Sequence, residues 1–177
     1  MRIHRSIARV KSAGYILWHG KHMVFHVLLG LMWAWFLRER WGEFNPTWVW
    51  TAVAGSLLPD MDHLNYFFRH GRNDSYTRQV VSYIKERQWR MLFSFLSTGH
   101  KFNTSLSYHN VYMVVVFLSL AAGASFVDWQ VGVVLFGAVI SHYLFDMADD
   151  IVQLGGINPN WKRWGNGRMQ AKEGRRS

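Results

Sequence analysis

A histidine and a carboxylate lie four residues apart in an apolar segment, at His142 and Asp146. In a helix, side chains at positions i and i+4 lie on the same face, one above the other. An imidazole nitrogen and a carboxylate oxygen presented in this way form half of a site for a borderline metal ion such as zinc. The alternative for such a pair is a hydrogen bond between helices. Asp149 and Asp150 follow within a turn, and this crowding of like charges favours a nearby cation.

A second group of ionisable residues follows the apolar segment that ends at Pro59. It contains Asp60, Asp62 and His63. One aspartate would be enough to cap a short helix that begins near His63. Two aspartates and a histidine favour a ligand cluster instead, and Asp60 and His63, at positions i and i+3, can face one ion.

Further histidines lie inside or beside apolar segments, where an unpaired ionisable group is costly. His26 is surrounded by apolar residues, and His19 and His22 fall near the same helix face, so this helix offers a second imidazole. His109 precedes the apolar run 111–127. Taken singly, His26 is typical of a hydrogen-bonded core residue and His109 of a surface residue.

Taken together, these residues predict a site for one to three metal ions, with ligands drawn from four helices. The chain has no cysteine, so thiolate ligands and disulfides are excluded. Zinc is the first choice of metal, metal-activated water is the expected nucleophile, and Asp62 is the expected general base. The candidate ligands from the residues alone are His26, a choice among Asp60, Asp62 and His63, then His109, and the pair His142 and Asp146.

Four uncharged segments must position these residues: 23–37, 44–59, 102–127 and 129–145. Crossing a bilayer takes about 20 apolar residues, with about 17 as the lower limit, and only 111–127, slightly extended, meets that limit comfortably. However, 111–127 and 131–140 have no polar face, which indicates lipid or a deep core. We therefore predict an all-α, membrane-embedded bundle of about four apolar helices, and the lengths of the shorter segments argue against it.

The remaining segments are basic. The chain of 177 residues has a net charge of +9, which suits anionic membranes, nucleic acid or phosphorylated substrates. Segment 1–21 is predicted as an amphipathic helix, either on the membrane surface or in solvent, and segment 76–96 is predicted to be helical and amphipathic. Residues 1–160 are predicted to form one membrane domain and 161–177 a basic, disordered tail.

The order of these motifs resembles the YdjM-like family of bacterial inner-membrane proteins. The specific parts are the block 55–63 and the block 142–146, preceded by His26 and followed by Gly155 and Pro159. The family is described as predicted metal-dependent hydrolases, distantly similar to zinc-dependent phospholipase C and P1-type nucleases. The resemblance implies a location in the bacterial inner membrane and six metal ligands, which are His26, Asp60, His63, His109, His142 and Asp146. The family's middle motif is replaced by Tyr108-His109-Asn110.

Two classes of function follow from these patterns. The first is a membrane-embedded, metal-dependent hydrolase that cleaves a phosphoester in a lipid or lipid-like substrate. The second is a non-catalytic membrane protein, either a metal-ion carrier or a partner-binding subunit. With four spans, both termini and the basic segment 69–101 lie on one side, which the positive-inside rule makes cytoplasmic. The ligands then cluster near that side, which favours the enzyme, while nucleic-acid binding has no base-reading motif to support it.

Overall fold

The computed structural model describes residues 3–103 and 106–162, and the side chains of 22–69, 71–96 and 106–162. This described part is helical and contains no strand, so the prediction of an all-α fold is confirmed. Its α-helices are α1 (Ile3–Trp41), α2 (Pro46–Leu57), α3 (Met61–Asn65), α4 (Ser75–Lys85), α5 (Trp89–Asn103), α6 (Val111–Phe126) and α7 (Gln130–Leu154). The predicted tail beyond Lys162 lies outside the described residues.

Helix α1 corrects the prediction of two N-terminal helices. We expected one helix over 1–21 and another from Met23, but α1 is continuous over 39 residues. No proline precedes Pro46, and a glycine such as Gly20 lowers helix propensity by only about 1 kcal/mol. The helix ends at Gly42, whose φ of 71° is left-handed and whose N–H donates to the carbonyl of Arg38.

The prediction that segment 76–96 is helical is confirmed, and the structure divides this segment into α4 and α5. The break lies at Arg87, which has a φ of 55°. The N–H of Gln88 donates to the carbonyl of Tyr83 at 2.8 Å and closes the turn. The two helices then pack against each other as a hairpin.

Helix α7 is the centre of a bundle in which it packs against α1, α2 and α6. The core between α1, α2 and α7 contains Trp48, Ala52, Val134 and Ala138. Two glycines allow the close approach of the helices. A Cβ on Gly30 would lie 2.7 Å from the carbonyl oxygen of Ala52, and one on Gly55 would lie 2.8 Å from that of Leu135.

Two smaller cores lie beside this bundle. Tyr66, Tyr76, Val80 and Leu92 join the π-helical turn Tyr66–His70 to α4 and α5. The other core joins α6 and α7 to Trp161. The predicted domain boundary at residue 160 therefore lies just before a buried tryptophan, and the packed domain extends at least to the 3-10 turn Pro159–Lys162.

Many large apolar side chains are exposed on the bundle. Trp35 on α1 is 62% exposed and Val115 on α6 is 56% exposed. Among the described helices, however, only Gln130–Leu154 is both long and apolar enough to cross a membrane, and Val111–Phe126 is shorter. The four-span arrangement therefore stays a prediction.

Candidate metal centre

Ionisable side chains from four parts of the chain meet beside α7. His22 and His26 come from α1, and Asp60 ends the 3-10 turn that follows α2. His109 precedes α6, while α7 supplies His142 and Asp146. His26 and His142 are fully buried, whereas the side chain of Asp60 is 30% exposed and that of His22 is 28% exposed. The cluster therefore lies inside the protein and opens on the side of these two residues.

The carboxylate of Asp146 lies at the centre of the cluster. Its Oδ1 atom lies 3.4 Å from the Nε2 atoms of both His22 and His26. Its Oδ2 atom lies 3.0 Å from Nε2 of His142 and 3.4 Å from Nε2 of His109. Each carboxylate oxygen thus faces two imidazole nitrogens, so Asp146 is placed to bridge two neighbouring positions.

Asp60 brings a second carboxylate to the same group. Its Oδ1 atom lies 3.8 Å from Nε2 of His142, and the rings of His26 and His142 are stacked with centroids 3.8 Å apart. Ligand atoms around a zinc ion at bonds of about 2 Å lie about 3–4 Å from one another. The donors therefore fit a divalent ion, whose charge the two carboxylates would balance.

Several of these atoms are close but form no hydrogen bond. Nε2 of His142, Nε2 of His109 and Oδ1 of Asp146 are all buried without a hydrogen-bond partner among the described residues. Leaving such groups unsatisfied is costly. Nitrogen and carboxylate oxygen atoms that lie 3.0–3.4 Å apart without meeting hydrogen-bond geometry have the arrangement expected of ligands directed at a shared cation.

The tautomer of His142 supports the same interpretation. Its Nδ1 atom is bonded to the backbone carbonyl oxygen of Ser56, which can only accept, so Nδ1 must carry the hydrogen. In the neutral ring the lone pair then lies on Nε2, which faces Asp60 and Asp146. Such outer contacts are how metal-binding histidines are oriented.

Asp62 has the corresponding contact with His109. Its Oδ2 atom accepts a hydrogen bond of 2.7 Å from the N–H of Tyr108 and lies 3.5 Å from Nδ1 of His109. Nε2 of His109 is thereby turned towards Asp146. We predicted Asp62 as the general base, but these contacts are those of a buried positioning residue, while Asp60 is the carboxylate near the opening.

Asp62→Asn is expected to weaken metal affinity by about 10–100-fold without abolishing it, the usual effect of losing an outer-sphere carboxylate. Asn keeps an acceptor for Tyr108 but loses the charge beside His109. Metal affinity is measured by competition with a chromophoric chelator. Asp74→Asn is the matched control, because Asp74 accepts from the hydroxyl of Tyr66 and belongs to a different core. Equal affinities in the two variants would contradict the positioning role.

The carboxylates of the cluster favour a positive charge on His109. Burial alone would lower the pKa of His109, but Asp146 and Asp62 outweigh it and raise the pKa to about 9. Burial raises the pKa of Asp60; His142 lowers it and Asp146 raises it further. The raised pKa of His109 reflects the negative potential of the two carboxylates, whereas the raised pKa of Asp60 is mainly an effect of burial. A divalent cation would occupy the same potential.

Other predicted residues lie near the cluster but outside it. The His63 ring lies 5.7 Å from that of His109, centroid to centroid, yet His63 belongs to none of the groups of converging ligand atoms. Asp149 accepts hydrogen bonds from Gln153, and Asp150 accepts one from Trp161. The crowding of carboxylates expected at 146–150 is relieved because the three side chains point in different directions.

The structure also bears on the alternative role of Asp60, which is to cap a short helix. Asp60 occupies the N-cap position of α3, but its side chain makes no capping hydrogen bond. The carboxylate is instead directed towards His142.

Sequence reasoning missed two contributors to the site. Ser56 acts through its backbone carbonyl, which no side-chain pattern reveals. The Trp161 ring lies 6.1 Å from that of His109 and 5.9 Å from that of Tyr143. Its position after Asn158-Pro159 was the available signal, because a large aromatic residue is poorly suited to a disordered tail.

Comparisons of the chain with models of known protein families, with curated proteins and with solved structures gave no match. The interpretation of the cluster therefore depends on its own geometry.

Proposed function

We propose that this protein is a membrane-embedded, metal-dependent hydrolase that cleaves a phosphoester. The observation that carries the proposal is the convergence of four imidazoles on the two oxygens of Asp146, with Asp60 beside them. Nitrogen and oxygen donors without thiolates suit zinc first among the divalent ions. The resemblance to YdjM-like proteins remains a prediction that points to the same chemistry.

The residues divide into those that hold an ion and those that shape its surroundings. His26, His109, His142, Asp60 and Asp146 would hold it, with His22 available on the exposed side. A bound divalent ion would polarise a phosphoryl oxygen and lower the pKa of water. Burial of His26 and His142 excludes bulk water from one side, so substrate would approach past Asp60 and His22.

The compactness of the cluster favours an enzyme over the alternative, a metal-ion carrier. A carrier is expected to distribute its polar groups along a path through the membrane. Here Asp60 follows the end of α2 and lies against His142, while His109 precedes the start of α6 and lies against Asp146. Among the described side chains of α1 and α7, the converging donors lie within about one turn of each helix, at 22–26 and 142–146.

The membrane location is part of the proposal and has its own expected result. The protein is expected to remain in the membrane pellet after alkaline carbonate extraction. The exposed apolar side chains of α1 and α6 would otherwise face water, and patches of that extent are rare on soluble monomers. Recovery of the full chain in the soluble fraction without detergent would contradict it.

The enzymatic proposal is tested by hydrolysis of bis-p-nitrophenyl phosphate by the full chain in detergent. Activity should be lost on chelation, return with zinc or manganese, and be absent in Asp60→Asn. Asp74→Asn, which alters a carboxylate in the α4–α5 core, should keep the activity. A wild type that binds metal tightly but hydrolyses no phosphodiester would overturn the hydrolase in favour of the carrier.

A further inference from the structure

A second concave region lies on the other side of α3 from His109. It is a groove of about 1020 Å³ between the π-helical turn Tyr66–His70 and helix α4. Its apolar wall includes Phe67, Phe68, Val81 and Ile84. Phe68 is 77% exposed and Ile84 is 45% exposed, so apolar side chains form the rim as well as the floor.

The groove also carries an excess of positive charge. Arg72, Arg78 and Lys85 line it, against one acidic residue, Glu86. The Glu86 carboxylate already accepts hydrogen bonds from Ser82 and Gln88. Arg78 and Lys85 are seven residues apart on α4, which places them about two turns apart on one face with Val81 between them. This face thus combines cationic and apolar contacts in the pattern of membrane-surface helices.

We propose that this groove binds a membrane phospholipid with an anionic head group. The phosphate and any further negative charge of the head group lie against Arg72, Arg78 and Lys85, and the first part of the acyl chains lies against Phe68, Val81 and Ile84. The charge excess identifies an anionic partner, and the exposed apolar rim favours a lipid over a fully hydrated anion such as free phosphate.

The position of the groove connects it with the metal centre. Helix α3 contributes Leu64 to the groove and Asp62 to the contacts of His109. Asp60, at the open side of the cluster, immediately precedes this helix. The groove and the centre therefore share helix α3, and the phospholipids that the groove binds belong to the substrate class that we assign to the site. This last assignment rests on the proposed function, whereas lipid binding does not.

The test uses the full chain in detergent, with lipid binding followed by native mass spectrometry. Phosphatidylglycerol is expected to bind more tightly than phosphatidylcholine with the same acyl chains. Each basic residue near an anionic head group strengthens binding about fivefold, so the loss of two should weaken binding on the order of thirtyfold. That loss is expected for Arg72→Gln/Arg78→Gln, and a loss of about fivefold for Lys85→Gln alone. Arg38→Gln/Arg40→Gln, at the end of α1, removes the same charge and should change nothing.

Several outcomes would contradict the proposal that the groove binds an anionic phospholipid. Equal weakening by the Arg38/Arg40 control would show a general charge effect. Full competition by glycerol phosphate would show that the head group alone is recognised and that no lipid is needed. Metal content and bis-p-nitrophenyl phosphate hydrolysis, measured in the same variants, should remain unchanged. A failure of lipid binding with an intact metal centre is thereby distinguished from a failure of the proposed function.

Discussion

Replacing Asp146 by asparagine is expected to remove the bound divalent metal from the purified protein. Asp146 faces His22 and His26 with one oxygen and His109 and His142 with the other, so the substitution affects every pair at once. Outer contacts alone change metal affinity by about 10–100-fold. Loss of this shared ligand should therefore exceed about a hundredfold. Elemental analysis of the detergent-solubilised protein gives the result directly.

Asp149→Asn is the matched control for this experiment. Asp149 lies on the same helix, one turn further on, and its carboxylate accepts hydrogen bonds from Gln153. The Asp149→Asn protein should retain as much metal as the wild type, and His142→Ala should resemble Asp146→Asn. If all four proteins contained the same amount of metal, the cluster would not be a metal centre.

Gly30→Ala is expected to destabilise the protein, although alanine is the better helix former. The added Cβ would lie 2.7 Å from both the carbonyl oxygen of Ala52 and the Oγ of Ser56. Helices α1 and α2 would have to separate, and overpacking of this kind costs about 1–3 kcal/mol. Because the carbonyl of Ser56 also fixes the ring of His142, metal affinity should fall together with the melting temperature.

Gly123→Ala provides the opposite result with the same chemical change. Gly123 also lies in a helix, α6, but a Cβ there would meet nothing within 4 Å. Helix propensity then dominates and stabilises the protein by up to about 1 kcal/mol. Thermal unfolding in detergent compares the two variants. A melting temperature for Gly30→Ala at or above that of Gly123→Ala would show that α1 and α2 are not held at this close approach.

The contacts between residues of the same helix could be predicted, because the spacing of two residues along a helix determines whether their side chains point in the same direction. His142 and Asp146 lie on one face of α7, and their Nε2 and Oδ2 atoms are 3.0 Å apart. The same reasoning put His22 beside His26, whose Nε2 atoms are 2.9 Å apart. In both cases the spacing of four residues was sufficient, since the helix itself determines the distance.

The rest of the site depends on packing between distant segments, which spacing does not determine. Asp62 and His63 are neighbours in sequence, yet their side chains have different surroundings. Asp62 contacts Nδ1 of His109, whereas His63 remains outside the groups of converging ligand atoms. The turn after Pro59 decides which of Asp60, Asp62 and His63 faces α7. The continuity of α1 was missed for a related reason, because the change from basic to apolar composition at Met23 alters the helix's environment without interrupting its hydrogen bonds.

The distribution of the ligands along the chain has a consequence for the order of assembly. His22 lies near the beginning and Asp146 near the end, so the cluster cannot form until α7 has been synthesised and docked. A divalent ion bound there would connect the first and last long helices and close most of the chain into a loop. Ions that bind only the folded state stabilise it by a free energy that rises with the logarithm of their concentration. The supply of metal during biosynthesis would therefore affect the fraction of protein molecules that reach the folded state, in addition to the activity of the folded protein.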